Sequence, residues 1–314
     1  VRPLHRVATA ASTVLRSPWL RAAFLFAAIA LAAVALIDQR VAVLAAVARV
    51  SGAGLGLAGM ATIVNLVLAA VAWHSVVTDL GARLGRAPAA RVYLVGQVGK
   101  YLPGGVWNLL AAAELGRDHG IARRETVSSM LLAVAVSGST AAALAAATLL
   151  ELPLVLLAPL PLMVLHPKVL NLMIAVVLSL AKRDPLSGHL SIRGSAVAAS
   201  WTMLSWLAIG VQVFVLAVSV GAPPTARTMA LALGAYVLAW LVGTAAVVLP
   251  AGAGAREATL VVVLAPAVGV GAAVVVALLS RVLVTAADLG LAGVGLLAAR
   301  AARNGARPVQ TDHG

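Results

Sequence analysis

The chain is 314 residues long, 62% hydrophobic and only 11% charged, with a formal net charge of +13. A soluble domain carries roughly 25% charged residues to face water, so this composition excludes a soluble fold and leaves lipid as the medium around most of the surface. There is no cysteine, which excludes disulfides, thiolate metal sites and cysteine nucleophiles.

The six histidines are scattered without HxxxH or HExxH spacing, so no metal and no other cofactor is expected. The basic residues gather in short segments between apolar runs. That is the positive-inside pattern of a cytoplasmic (inner) membrane protein, and it suits an anionic lipid surface. No RNP, zinc-finger or helix-turn-helix signature accompanies the charge, so nucleic acid is not an expected partner. The Ala/Val/Leu/Gly/Arg bias is that of a GC-rich bacterial genome.

A membrane span takes about 20 apolar residues. The first run, Ala22 to Ile37, follows Arg2, Arg6, Arg16 and Arg21 and exits into Asp38, Gln39 and Arg40 with no small-x-small cleavage site. It is predicted as an uncleaved helix with a cytoplasmic N-terminus. The second run, Leu55 to Val77, ends near Asp79, and Arg83, Arg86 and Arg91 place the next loop inside. Val92 to Leu115 is broken in the middle by Lys100-Tyr101-Leu102-Pro103-Gly104-Gly105, so neither flank spans. Arg117, Arg123 and Arg124 return it to the basic side, which predicts a re-entrant hairpin whose irregular tip must be buried in protein or line a wet cavity.

Thr126 to Leu149 reads as the third span, with Glu151 outside, and the proline-rich Leu152 to Leu165 as a short fourth. His166 to Lys182 reads as an interfacial cytoplasmic helix starting at Pro167, and Ala196 to Val220 as the fifth span. Met229 to Leu249 leads into a second breaker, followed by a short helix over Ala258 to Val268 and a long one over Gly271 to Ala299. Arg300, Arg303 and Arg307 keep the C-terminus inside, and 301–314 is expected as a disordered tail. The fold class is all-α, a single polytopic membrane domain of about six full spans plus two re-entrant hairpins. Eight spans is the alternative.

Leu102-Pro103-Gly104-Gly105 and Leu249-Pro250-Ala251-Gly252 are the same breaker. Each follows an apolar helix and precedes a short helix, a glycine turn (Gly120-Ile121; Gly269-Val270) and a long span. The unit of two spans, a hairpin and one span therefore occurs twice, over about 20–149 and about 152–300. Each unit crosses an odd number of times, so the second copy is inverted, and the two tips are expected to meet near the midplane. Paired broken helices in inverted repeats point to a midplane substrate site; taken singly, each breaker merely kinks a helix.

Gly99-Lys100-Tyr101-Leu102-Pro103-Gly104-Gly105-Val106-Trp107 resembles the GKYxPGxxW segment of the lysylphosphatidylglycerol synthase transmembrane (flippase-like) family. Leu249-Pro250-Ala251-Gly252-Ala253-Gly254-Ala255-Arg256-Glu257 resembles its PGGxGxRE segment, with Ala251 in place of the usual glycine. Ser280-Arg281 followed by Asp288 resembles its last helix. The resemblance covers the chain from about the second span onward. It implies lipid-linked work: well-understood members move an aminoacylated phosphatidylglycerol between leaflets and carry a soluble aminoacyl-transferase domain, which does not follow the last helix here. Other members are tied to polyprenyl-type sugar lipids. The implied partners are a membrane lipid, either an anionic phospholipid or a polyprenyl-phosphate lipid, and an enzyme that makes it.

A charge at the bilayer centre costs about 2.5–3.5 kcal/mol on insertion scales, so such residues are paired or functional. Arg256, Glu257, Arg281 and Asp288 fall within or beside apolar segments. Arg281 and Asp288 lie two turns apart on one helical face. Arg256-Glu257 opens a short helix whose N-terminus favours an anion. A lipid phosphate is expected between that helix end, Arg256, Arg281 and Lys100, held by the bidentate fork of arginine. The alternative is that Glu257–Arg281 or Arg256–Asp288 are ion pairs that hold the fold. Lys100 has two options, reaching the site or snorkelling to the interface. The remaining candidate site residues are Tyr101, Pro103, Gly104, Gly105, Trp107, Pro250, Gly252 and Gly254. Tyr101, Trp107 and Trp240 line the site or serve as interfacial anchors; Asn65 is expected to hydrogen-bond across helices, and His74 and Asp79 to sit at headgroup level.

Three functions fit these residues: a lipid translocase, a membrane enzyme using a lipid-phosphate donor, and a secondary transporter of a small solute. The enzyme needs a carboxylate base; Glu114, Asp118 and Glu125 form the cluster available, without a DxD-like metal motif. The transporter predicts Glu257 or Asp288 as a titrating group. Fold alone does not choose among them.

Overall fold

Long apolar runs rich in alanine, with few charges, fold as helices that pack closely through small side chains. The computed structural model describes residues 40–102, 106–246 and 249–305, and every regular element among them is helical. In chain order these are α1 (Arg40–Arg49), α2 (Gly52–Asp79), α3 (Arg86–Gln97), α4 (Trp107–Arg117), α5 (Arg123–Leu149), α6 (Pro167–Leu180), α7 (Ile192–Ser219), α8 (Ala226–Ala245), α9 (Ala255–Val268) and α10 (Val270–Gly305). Helix starts carry side-chain caps: Ser51, Ser191 and Thr225 accept from the amides of Gly54, Gly194 and Thr228, satisfying donors that a helix cannot satisfy itself. Pro167 opens α6 as its spacing predicts, with His166 as the cap.

Five described helices, α2, α5, α7, α8 and α10, are long and apolar enough to cross a membrane. The chain is therefore a polytopic α-helical membrane protein. The predicted run Ala22 to Ile37 lies outside the described residues. Three expectations change. The stretch Leu152 to Leu165 is not a straight span: it forms 3-10 turns at Leu154–Leu157 and Leu160–Leu165 and meets α6 at a 61° bend. Pro153, Pro159 and Pro161 remove the amides that an α-helix needs there. The second concerns the first arm of the second hairpin: α8, at 20 residues, is of full span length, whereas α3 has only 12 residues. The last helix also continues past Ala299 to Gly305.

The two halves share one order: helix, 3-10 turn, short helix, glycine, long helix. The 3-10 turns are Val98–Tyr101 and Pro250–Gly252, and they touch each other. Both joining glycines, Gly120 and Gly269, have positive φ of 77° and 82°, a region closed to most side chains. The core lies where α2 and α7 pack along their lengths and meet α10, with α8 against α7 and α9 against α8 and α10. Ala58, Ala232, Ala235 and Ala273 are fully buried there, and such small residues let backbones approach without a hydrophobic drive. Outward faces stay apolar: Leu278, Val282 and Leu289 form an exposed stripe on α10, as a lipid-facing helix requires.

Candidate functional site

The two breaker turns deliver their charges to the same place, against the middle of α10. Lys100, in the first turn, pairs with Asp288 of α10 through its Nζ at 2.7 Å from Oδ2. The neighbouring Tyr101 hydroxyl donates to the same Oδ2 at 2.6 Å and lies 3.3 Å from Thr285 Oγ1. The Asp288 side chain is 0% exposed, and Lys100 is 20% exposed. Oδ1 of Asp288 is buried without a hydrogen-bond partner. Lys100 therefore turns inward to a counter-ion, not outward to the interface.

Arg281, two turns earlier on α10, lies 3.5 Å from Glu257 through Nε and donates to the Ala251 carbonyl at 3.0 Å. Its guanidinium also sits over the Tyr101 ring, 5.8 Å from the centroid, as Lys100 does at 5.5 Å. Such cation–ring contacts hold both cations near one aromatic ring. Glu257 reaches back to accept from the Gly254 amide at 2.6 Å. Glu257 thus satisfies one of the amides at the start of α9 with its own carboxylate.

Of the two ion pairs anticipated, Glu257–Arg281 forms. Arg256–Asp288 does not, because Lys100 takes Asp288. Arg256 has no ion pair among the described residues, and its Nε is buried without a hydrogen-bond partner. It lies against Gly243 of α8, where a Cβ would stand 2.3 Å from Arg256 Cγ. Only glycine leaves this lane open. Gly252, with φ of 67°, packs on the same Gly243 backbone. Ala251 also adopts positive φ, 49°, which is strained for a residue with a Cβ.

Arg256 and Lys100 both line a cavity of about 220 Å³ between α2, α3, α4, α5, α7 and α8. Its walls carry neutral polar groups, including Asn65, Gln97, Asn108 and Ser205, and the rings of Tyr93, Trp206, Tyr236 and Trp240. Neither Asp288 nor Glu257 lines it. Three cations (Lys100, Arg256, Arg281) stand against two carboxylates (Asp288, Glu257), which leaves one positive charge without a counter-ion among the described residues. A desolvated cation of this kind suits an anion.

The other candidates separate by position. Pro103, Gly104 and Gly105 lie outside the described residues. Trp107 opens α4 and is 46% exposed, and Pro250 opens the second 3-10 turn. Asn65 bonds across helices to the Ser205 carbonyl and hydroxyl at 2.9 and 2.7 Å, as expected. His74 binds the Leu84 carbonyl, and Asp79 accepts from the amide and hydroxyl of Ser191. Tyr93, Gln97, Asn108 and Tyr236 are not legible as site residues in the sequence. Their types are ordinary at helix positions, and only the fold turns them inward.

The carboxylates that an enzyme would use stand elsewhere. Glu114 pairs with Arg123 at 2.5 Å and Arg117 at 3.2 Å, and is more than half exposed. The hydrogen bond from Arg123 holds this carboxyl below the usual carboxylate range, with the charge of Arg117 adding to it. A carboxylate held ionised by two arginines is a weak general base, because its affinity for a proton falls with its pKa. Glu125 accepts from Ser187. None of the three carboxylates lines the cavity.

The family model described as the lysylphosphatidylglycerol synthase TM region matches residues 19–292. Among curated proteins, none matches the chain.

Proposed function

The chain belongs to the lysylphosphatidylglycerol synthase transmembrane-region family, and from that premise we propose that it moves an anionic lipid, a phospholipid or a polyprenyl-phosphate lipid, between the leaflets of a cytoplasmic membrane. One observation carries the reading: the unpaired Arg256 and the inward-turned Lys100 face one cavity that no carboxylate lines. The cavity holds a headgroup, not the acyl chains, which remain in lipid. Arg256 supplies the fixed charge for the phosphate, and Lys100 supplies a second that it shares with Asp288.

The two halves are read as inverted copies, over about 20–149 and about 152–300, with the touching 3-10 turns as the tips of broken helices at the midplane. In this arrangement both termini are cytoplasmic, and the site opens alternately to the two sides. A separate enzyme supplies the lipid.

The test is leaflet exchange of a fluorescent phosphatidylglycerol in proteoliposomes, read with a membrane-impermeant quencher. Wild-type protein is expected to speed exchange and Arg256→Ala to slow it at least tenfold. Equal rates for both would sink the site assignment. No acceleration with phosphatidylglycerol or with a fluorescent polyprenyl phosphate would sink the translocase reading.

A further inference from the structure

We propose that Asp288 is an exchangeable counter-ion: when an anion takes Lys100 in the cavity, Asp288 takes up one proton from the aqueous phase, so one proton accompanies each anion bound. This rests on the anion-site reading of the cavity given above.

The geometry that points to exchange is the divided allegiance of Lys100. Its ammonium is 2.7 Å from Asp288, yet the same side chain lines the cavity from which Asp288 is absent. An anion entering beside Arg256 therefore competes with Asp288 for one cation. If Lys100 turns to the anion, Asp288 keeps the neutral Tyr101 hydroxyl on Oδ2 and has no described partner on Oδ1. A fully buried carboxylate with one neutral donor is a costly charge, and neutralising it by protonation is the ordinary response. The step forms one O–H bond on Asp288 and breaks none in the protein; Lys100 stays an ammonium, and the proton comes from water.

Among the described residues Lys100 alone forms an ion pair with Asp288. The first breaker turn brings Lys100 and Tyr101. From α3 come Tyr93 and, further along against Gly295, Arg91, whose Nε is buried without a hydrogen-bond partner. From α8 comes Tyr236, and from α9 the Arg256–Glu257 pair of neighbours. On α10 itself Arg281 is engaged with Glu257 and the Ala251 carbonyl. On α2 and α7 the groups bonded toward α10 are the uncharged Thr62 and Gln212, which meet it at Ser280, two turns before Asp288, while on α1 Arg49 is spent on the Val220 carbonyl.

The experiment is calorimetric titration of the purified full chain in detergent with dihexanoyl phosphatidylglycerol, and separately with inorganic sulfate, an anion that does not itself titrate near neutral pH, in two buffers of different ionisation enthalpy. The expected result is a heat difference equal to about one proton taken up per anion, with affinity rising up to tenfold for each unit fall in pH. Asp288→Asn is expected to bind without buffer dependence and with a flat pH profile. Tyr101→Phe removes the remaining donor without touching the ion pair, and is expected to move the midpoint of the wild-type pH profile upward. Buffer-independent heat in the wild type overturns the coupling and leaves the anion site standing. Equal proton uptake in Asp288→Asn overturns the assignment to Asp288, as does an unmoved midpoint in Tyr101→Phe. No heat with either probe removes the anion site and the proposal together.

Discussion

Asp288 and Arg256 are both buried charges on apolar helices, but they behave oppositely because their partners differ. Asp288 is fixed by Lys100 and Tyr101; removing one member of such a pair leaves an uncompensated charge and costs about 3–5 kcal/mol. Lys100→Met is therefore expected to lower thermal stability in detergent by that order, and Lys100→Met/Asp288→Leu to recover most of it. A single variant as stable as wild type would mean that the pair is solvated. Arg256 has no such partner among the described residues, so Arg256→Ala is expected to leave the melting temperature nearly unchanged while removing anion-induced stabilisation. Ala251 shows the same logic in the backbone. Its φ of 49° stores strain that a glycine lacks, so Ala251→Gly is expected to stabilise by about 0.5–1 kcal/mol in a denaturation series.

Helices set where these charges meet. The second breaker works because α8 ends at Ala245 and α9 begins at Ala255 with its carboxylate already on its own N-terminus. Arg256 reaches the cavity across Gly243, where a Cβ would collide with its Cγ at 2.3 Å. Gly243→Ala is expected to displace Arg256 and reduce lipid exchange nearly as far as Arg256→Ala does, with helix content by circular dichroism intact. Full exchange activity in Gly243→Ala would show that the lane is not needed. Gly269 joins α9 to α10 at φ 82°, ψ 156°, a conformation open essentially to glycine alone, so Gly269→Val is expected to cost about 1–3 kcal/mol. The proline-rich stretch after α5 shows the converse: its composition passes for a span, but its prolines break the α-helical ladder into 3-10 turns.

The whole molecule presents apolar helix faces outward and a charged cluster inward, an arrangement stable only in lipid. Its topology is testable directly, because the absence of cysteine makes every introduced thiol unique. In the proposed orientation, which puts both termini in the cytoplasm, Asp118→Cys is expected to label from the cytoplasmic side of intact cells and Glu151→Cys from outside. Labelling of both from one side would overturn the orientation and the inverted repeat.

Composition alone determined the medium. With 11% charged residues the chain has too little polar surface for water, and no tertiary detail alters that. Local sequence determined the breakers at Leu102 and Leu249, the glycine turns at Gly120 and Gly269 and the helix start at Pro167, because each depends on backbone sterics within a few residues. The Arg281–Glu257 pair was also legible, as one of two options for rare intramembrane charges. What only the tertiary structure decided is which cation holds Asp288 and which is left over. Lys100 and Asp288 are far apart in sequence, and spacing along one helix says nothing of a turn brought in from the other half. The fold joins the two breaker turns, gives Asp288 to Lys100, and so frees Arg256. It also makes cavity walls of Tyr93, Gln97, Asn108 and Tyr236, since the direction a side chain faces in an all-apolar helix depends on its neighbours and not on its own periodicity.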